Sequence, residues 1–151
     1  MAKTQHLEKI VLLLPPGDWH GYVTETVWAE KVSDGLYRIR SVPFYAKGVS
    51  FGDVVTTKQE DGRPMMAGIS LRSGHSTYRA FIKAPAELGS PEFNRAWNPI
   101  EQQGCTYERA TEHLIAIDVP HSANLATVYA LLEDGESAGV WDFEEAYAAE
   151  D

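Results

Sequence analysis

A chain of 151 residues with 44% apolar and 23% charged residues has the size and composition of an ordinary globular domain, long enough to bury a core. Its formal net charge of −9 is lopsided: residues 1–109 hold all 13 Lys and Arg against 12 Asp and Glu, and residues 110–151 hold 10 Asp and Glu with no Lys or Arg. Counterion release rewards basic surfaces, so the excess argues against DNA, RNA and anionic membranes and points to a basic protein as partner.

The first half reads as strands. The apolar run Ile10 to Leu14 stops at Pro15-Pro16, too short for a membrane span and without a signal-peptide cleavage pattern, so a cytoplasmic protein is expected. Lys9 to Leu14, Thr24 to Val32 and Leu36 to Tyr45 are strand candidates, the last two joined by the hairpin signal Asp34-Gly35. Val54 to Lys58 and Met66 to Leu71 flank the turn Glu60-Asp61-Gly62-Arg63-Pro64. An antiparallel sheet or small barrel of about five strands is the economical arrangement.

The second half alternates strands with helices. After a strand at Thr77 to Lys83, Ser90-Pro91-Glu92 supplies an N-cap, a first-turn proline and an early carboxylate. Phe93, Trp97 and Ile100 fall at helical spacing, Pro99 predicts a kink or break, and Gly104 closes the segment. Strands at Cys105 to Ala110 and Leu114 to Val119 precede a helix capped by Ser122, striped by Leu125, Val128, Leu131 and Leu132 and ending at Gly135; a final edge strand holds Trp141 and Phe143. The fold class is therefore α+β, with a strand-rich first part followed by a ferredoxin-like βαββαβ half. No long linker or internal repeat divides the chain, which is expected to form one compact domain over 1–151, with subdomains at most at 1–72 and 73–151.

Several motifs in this order resemble a bacterial family, the domain of unknown function 4265. They are Val27-Trp28-Ala29-Glu30, Leu36-Tyr37-Arg38-Ile39 leading to Val42-Pro43-Phe44, Gly48 through Gly52-Asp53-Val54-Val55, Ser73 through Arg79, Gly104-Cys105, and Ile117-Asp118-Val119-Pro120. The resemblance spans about Lys9 to Trp141 and implies an architecture, but it brings no catalytic residue. Small bacterial families of this kind often resemble immunity or accessory proteins, an association rather than a physical argument.

The chemically richest segment is Ser73-Gly74-His75-Ser76-Thr77-Tyr78-Arg79, which could present backbone N–H groups and a guanidinium to an anion. Strand alternation makes His75 and Ser76 diverge, so a triad would need His113 or His121 with Asp53 or Asp118. A cleft around Asp53, His75, Ser76 and Arg79 is the enzyme or ligand-binding alternative. The five His residues show neither HxH nor HExxH spacing, and no metal or other cofactor is expected. The lone Cys105 excludes an internal disulfide, fits a reducing compartment and, with no basic neighbour closer than Arg109, reads as a small buried hydrophobe. Trp28, Trp97, Tyr37, Phe44 and Tyr45 are core candidates.

Glu133, Asp134 and Glu136 cluster at the C-terminal end of the last helix, where the helix dipole disfavours negative charge and no lysine offsets it. Asp142, Glu144 and Glu145 extend the charge beside Trp141. Acids around an aromatic anchor are the pattern of a protein-binding patch. The leading expectation is thus an acidic protein-binding module rather than an enzyme, an immunity protein or inhibitor covering a basic partner such as a toxin.

Overall fold

The computed structural model describes residues 6–149. The chain divides into two compact units, residues 1–73 and 74–151.

In the first unit, β1 (Leu7–Leu13), β2 (Thr24–Ser33), β3 (Leu36–Ile39), β4 (Val54–Glu60) and β5 (Arg63–Leu71) pair antiparallel in sequence order. A parallel pairing of Val11 with Met65 closes them into a barrel. Both expected hairpins form. The second turns through Asp61 and Gly62 at φ 51° and 76°, the two positive values that match a two-residue turn to the twist of its strands. Side chains alternate inward and outward along β2: Val27 and Ala29 join Ile10, Leu12, Tyr37, Ile39 and Val55 in the core. Trp28, expected inside, points out at 45% exposure, with the Lys9 ammonium 5.1 Å from its ring centroid. The third strand is also shorter than expected. It stops at Ile39, and residues 44–46 wrap instead around Glu25 of β2, whose carboxylate accepts from the N–H groups of Phe44 (2.6 Å), Tyr45 (3.0 Å) and Ala46 (2.8 Å).

The second unit runs β6 (Ser76–Ile82), α1 (Pro91–Gln102), β7 (Thr106–Arg109), β8 (Leu114–Val119), α2 (Leu125–Ser137) and β9 (Trp141–Tyr147). Its sheet has the order β7-β8-β6-β9, every neighbouring pair antiparallel. Phe93, Trp97 and Ile100 of α1 and Val128 and Leu132 of α2 pack on Tyr78, Ala80, Ile115 and Ile117, so both helices cover the same sheet face.

Three local expectations are corrected. Helix α1 runs through Pro99 without a break, because the proline lies near its end and removes one hydrogen bond while Trp97 and Ile100 stay anchored in the core. Asn124, not Ser122, caps α2, its side chain accepting from Thr127 N–H at 2.9 Å. Gly135 does not end α2; it is buried in the last turn, and the helix continues to Ser137.

Candidate functional site

The four residues of the cleft reading each have a local partner. Asp53, fully buried in the first unit, accepts from Ser50 N–H (2.9 Å) and Ser73 N–H (2.8 Å) and pairs with Arg72 at 3.2 Å. The Arg72 guanidinium also donates to Gly48 O at 2.6 Å, so Asp53 ties the 48–53 turn to the end of β5. In the second unit Ser76 and Arg79 fall on opposite faces of β6. Ser76 pairs with Val119, on the helix-covered side, and its hydroxyl accepts from Ala149 N–H at 2.9 Å. Arg79 pairs across the strands with Ala116 and Glu144, and its buried Nε donates to Glu144 Oε1 at 3.1 Å. Three residues apart on a strand, these two side chains cannot line one cleft.

His75 meets Asp118: Nδ1 lies 2.7 Å from Oδ1. A carboxylate on Nδ1 orients an imidazole. Burial raises the Asp118 carboxyl above its ordinary value, and the His75 contact pulls it down less strongly. Beside the pair, Gly74 adopts φ 89°, and a Cβ there would lie 2.8 Å from Nδ1 of His121, so only glycine lets that imidazole approach the chain. Cys105 is buried among core residues, and burial pushes its thiol up to about 12. Among the described residues no group of three or more His, Cys, Asp or Glu is placed to hold a metal ion, and no helix is long and apolar enough to cross a membrane.

The acidic segment separates into two sets. The strand acids face cations or donors contributed by β6 and the turn after it: Glu144 pairs with Arg79, Asp142 with Lys83 at 3.0 Å, and Glu145 accepts from the Tyr78 hydroxyl at 3.0 Å. Trp141, expected as an exposed anchor, is 0% exposed; it sits over Gly135 and donates from its indole N–H to Leu132 O at 2.9 Å. It cannot serve a partner from there, because β9 alternation turns it to the helix-covered face. The helix acids Glu133, Asp134 and Glu136 are exposed, and among the described residues no Lys or Arg pairs with them.

Next to the helix acids lies a groove of about 270 Å³ between α1 and α2. Glu92, Arg95, Ala96 and Pro99 form one wall at spacing i, i+3, i+4, i+7, and Leu131, Asp134, Gly135 and Ala138 form the other at the same spacing. Sequence reasoning missed this groove, although Ala96 on α1 and the pair Gly135 and Ala138 at the end of α2 were its signal.

It also missed an aromatic cluster in the β1–β2 loop. Trp19 and Tyr22, both at least half exposed, flank Tyr45 at centroid distances of 5.9 and 4.9 Å. The His20 side chain is buried against all three rings and accepts from Tyr22 N–H through Nδ1 at 2.9 Å.

Against known proteins, the chain is similar in fold to a crystal structure of a hypothetical protein from Neisseria gonorrhoeae, with a TM-score of 0.82 and 17% identity over 99% of this chain and 100% of that one. No curated protein matches it. Residues 25–143 match the family described as a domain of unknown function, DUF4265, and the chain belongs to that family.

Proposed function

We propose that this protein is an acidic protein-binding module of the immunity-protein or inhibitor kind, which acts in the cytoplasm by covering a basic partner such as a toxin. The observation that carries the reading is the set Glu133, Asp134 and Glu136: three exposed carboxylates at a helix C-terminus without a pairing cation among the described residues. Like charge placed against the helix dipole costs stability, and a surface that keeps such a cost is a candidate for function. The effective surface is smaller than the sequence charge implies, because Glu144 and Asp142 are occupied by Arg79 and Lys83. We read the second unit as ferredoxin-like, a reading supported by its β7-β8-β6-β9 order. The lone, buried Cys105 supports a reducing compartment.

Affinity capture from the native host tests the reading. Wild-type protein should retain basic proteins at low ionic strength and release them at high salt, whereas the triple variant E133K/D134K/E136K should retain none of them. Identical capture by both proteins rejects the proposal. The competing reading, a small enzyme or ligand-binding domain, keeps one supporting observation, the His75–Asp118 contact. A small-molecule screen by NMR whose hits shift the His75 and Asp118 signals and leave α2 unmoved would favour it.

A further inference from the structure

Resting on the acidic-module reading, we infer that the groove between α1 and α2 receives a Lys or Arg side chain of the basic partner, its aliphatic stem on Ala96, Pro99 and Leu131 and its charged head on Asp134 and Glu92. The groove has the two chemistries such a side chain needs. Its floor is apolar, and the alkyl stems of Lys and Arg bury readily along apolar surface while the head remains at a polar edge. Both helices place a carboxylate on the groove, Glu92 on α1 and Asp134 on α2. Among the lining residues two carboxylates thus stand against one cation, Arg95, so the local field favours a cation entering from outside. A volume of about 270 Å³ accommodates a long side chain but not a helix or a strand. The walls are pre-organised: Trp97 and Ile100 fix α1, and Val128 and Leu132 fix α2, all within one core.

Arg95 is the resident competitor. It lines the same groove, three residues after Glu92 on the same helix face, and a partner's cation must share the carboxylates with it.

The test uses isotope-labelled full-length protein and three five-residue peptides, Ac-Gly-Leu-X-Leu-Gly-amide, in which X is arginine, citrulline or glutamate. The arginine peptide should shift the Ala96, Leu131 and Asp134 signals saturably. Citrulline, with the same shape and no charge, should bind about tenfold or more weakly, and the glutamate peptide not at all. Asp134→Asn should weaken the arginine peptide about fivefold or more, and Arg95→Ala should strengthen it by about two- to fivefold. Ala96→Phe, which fills the floor, should abolish the Leu131 shift while the remaining spectrum reports an intact fold. Shifts confined to Glu133 and Glu136, equal binding of arginine and citrulline peptides, or no shift at millimolar peptide would each overturn the groove assignment. These outcomes leave the acidic-module reading standing, since that reading fails only if the charge-reversed triple variant captures the same proteins as wild type.

Discussion

The indole of Trp141 lies so close over Gly135 that a methyl group on the glycine would sit 2.5 Å from the ring. Trp141 is fully buried and held by its N–H bond to Leu132 O, so the ring cannot retreat. Gly135→Ala would gain about 1 kcal/mol from helix propensity, yet overpacking a fixed core side chain costs about 1–3 kcal/mol and forces the backbone to shift as well. The expected outcome is a net loss of up to about 2 kcal/mol in urea denaturation. Ser137→Ala, at the exposed end of the same helix, should stay within about 0.5 kcal/mol of wild type.

The same glycine shows where sequence reading stops. A glycine followed by polar residues reads as a helix end, because its conformational freedom is a local property; its closeness to Trp141 is a tertiary one. Local signals with a local cause were legible: Asp34-Gly35 and Asp61-Gly62 gave their hairpins, and Ser90-Pro91 opened α1, with Ser90 Oγ accepting from Phe93 N–H. Pro99 misled, since its cost is fixed by its place in the helix and the packing around it. The acidic tail was legible as charge but not as surface. Strand pairing with β6 set Arg79 opposite Glu144, a relationship that depends on register and on no feature of the segment itself.

Glu25 was invisible for a similar reason, since its three partners lie about twenty residues away in sequence. Its Oε1 accepts from Tyr45 and Ala46 N–H, and its Oε2 from Phe44 N–H. Glu25→Gln would turn an NH2 donor toward one of these N–H groups, and Glu25→Ala would leave all three without their acceptor. Each unsatisfied buried donor costs about 1–3 kcal/mol, so the glutamine variant should lose roughly that much and the alanine variant more. Because residues 44–46 carry Tyr45 into the rings of Trp19 and Tyr22, tryptophan fluorescence should change in both variants before global unfolding. An alanine variant as stable as wild type would show that the three bonds contribute nothing net.

Cys105 should be inert in the native protein. Its residue is 1% exposed, and with the thiol pushed up to about 12 only a minute fraction is thiolate at pH 8. Reaction with a disulfide reagent at pH 8 should be negligible without denaturant and stoichiometric in 6 M guanidinium. Rapid native labelling would mean that the β7 edge opens locally far more often than its packing implies.

Asp118 makes the stability of the folded protein depend on pH. Burial raises its carboxyl above the ordinary value of 3.8 in the folded protein, and the His75 contact offsets only part of the rise. Between the unfolded and folded values the folded chain holds a proton that the unfolded chain has released, so this group's contribution to stability improves as pH falls through that window. Above the window the ionised, buried carboxylate is a standing cost. Asp118→Asn keeps an oxygen for the His75 bond and carries no ionisable group, so its stability relative to wild type should improve from pH 4 to pH 8. Removing His75 removes the influence that lowers the carboxyl. In a His75→Gln background the improvement on adding Asp118→Asn should therefore be larger and extend to higher pH. Urea denaturation of the four proteins across this range measures both effects, and a pH-independent difference between Asp118→Asn and wild type would mean that the carboxyl titrates alike in the folded and unfolded chains.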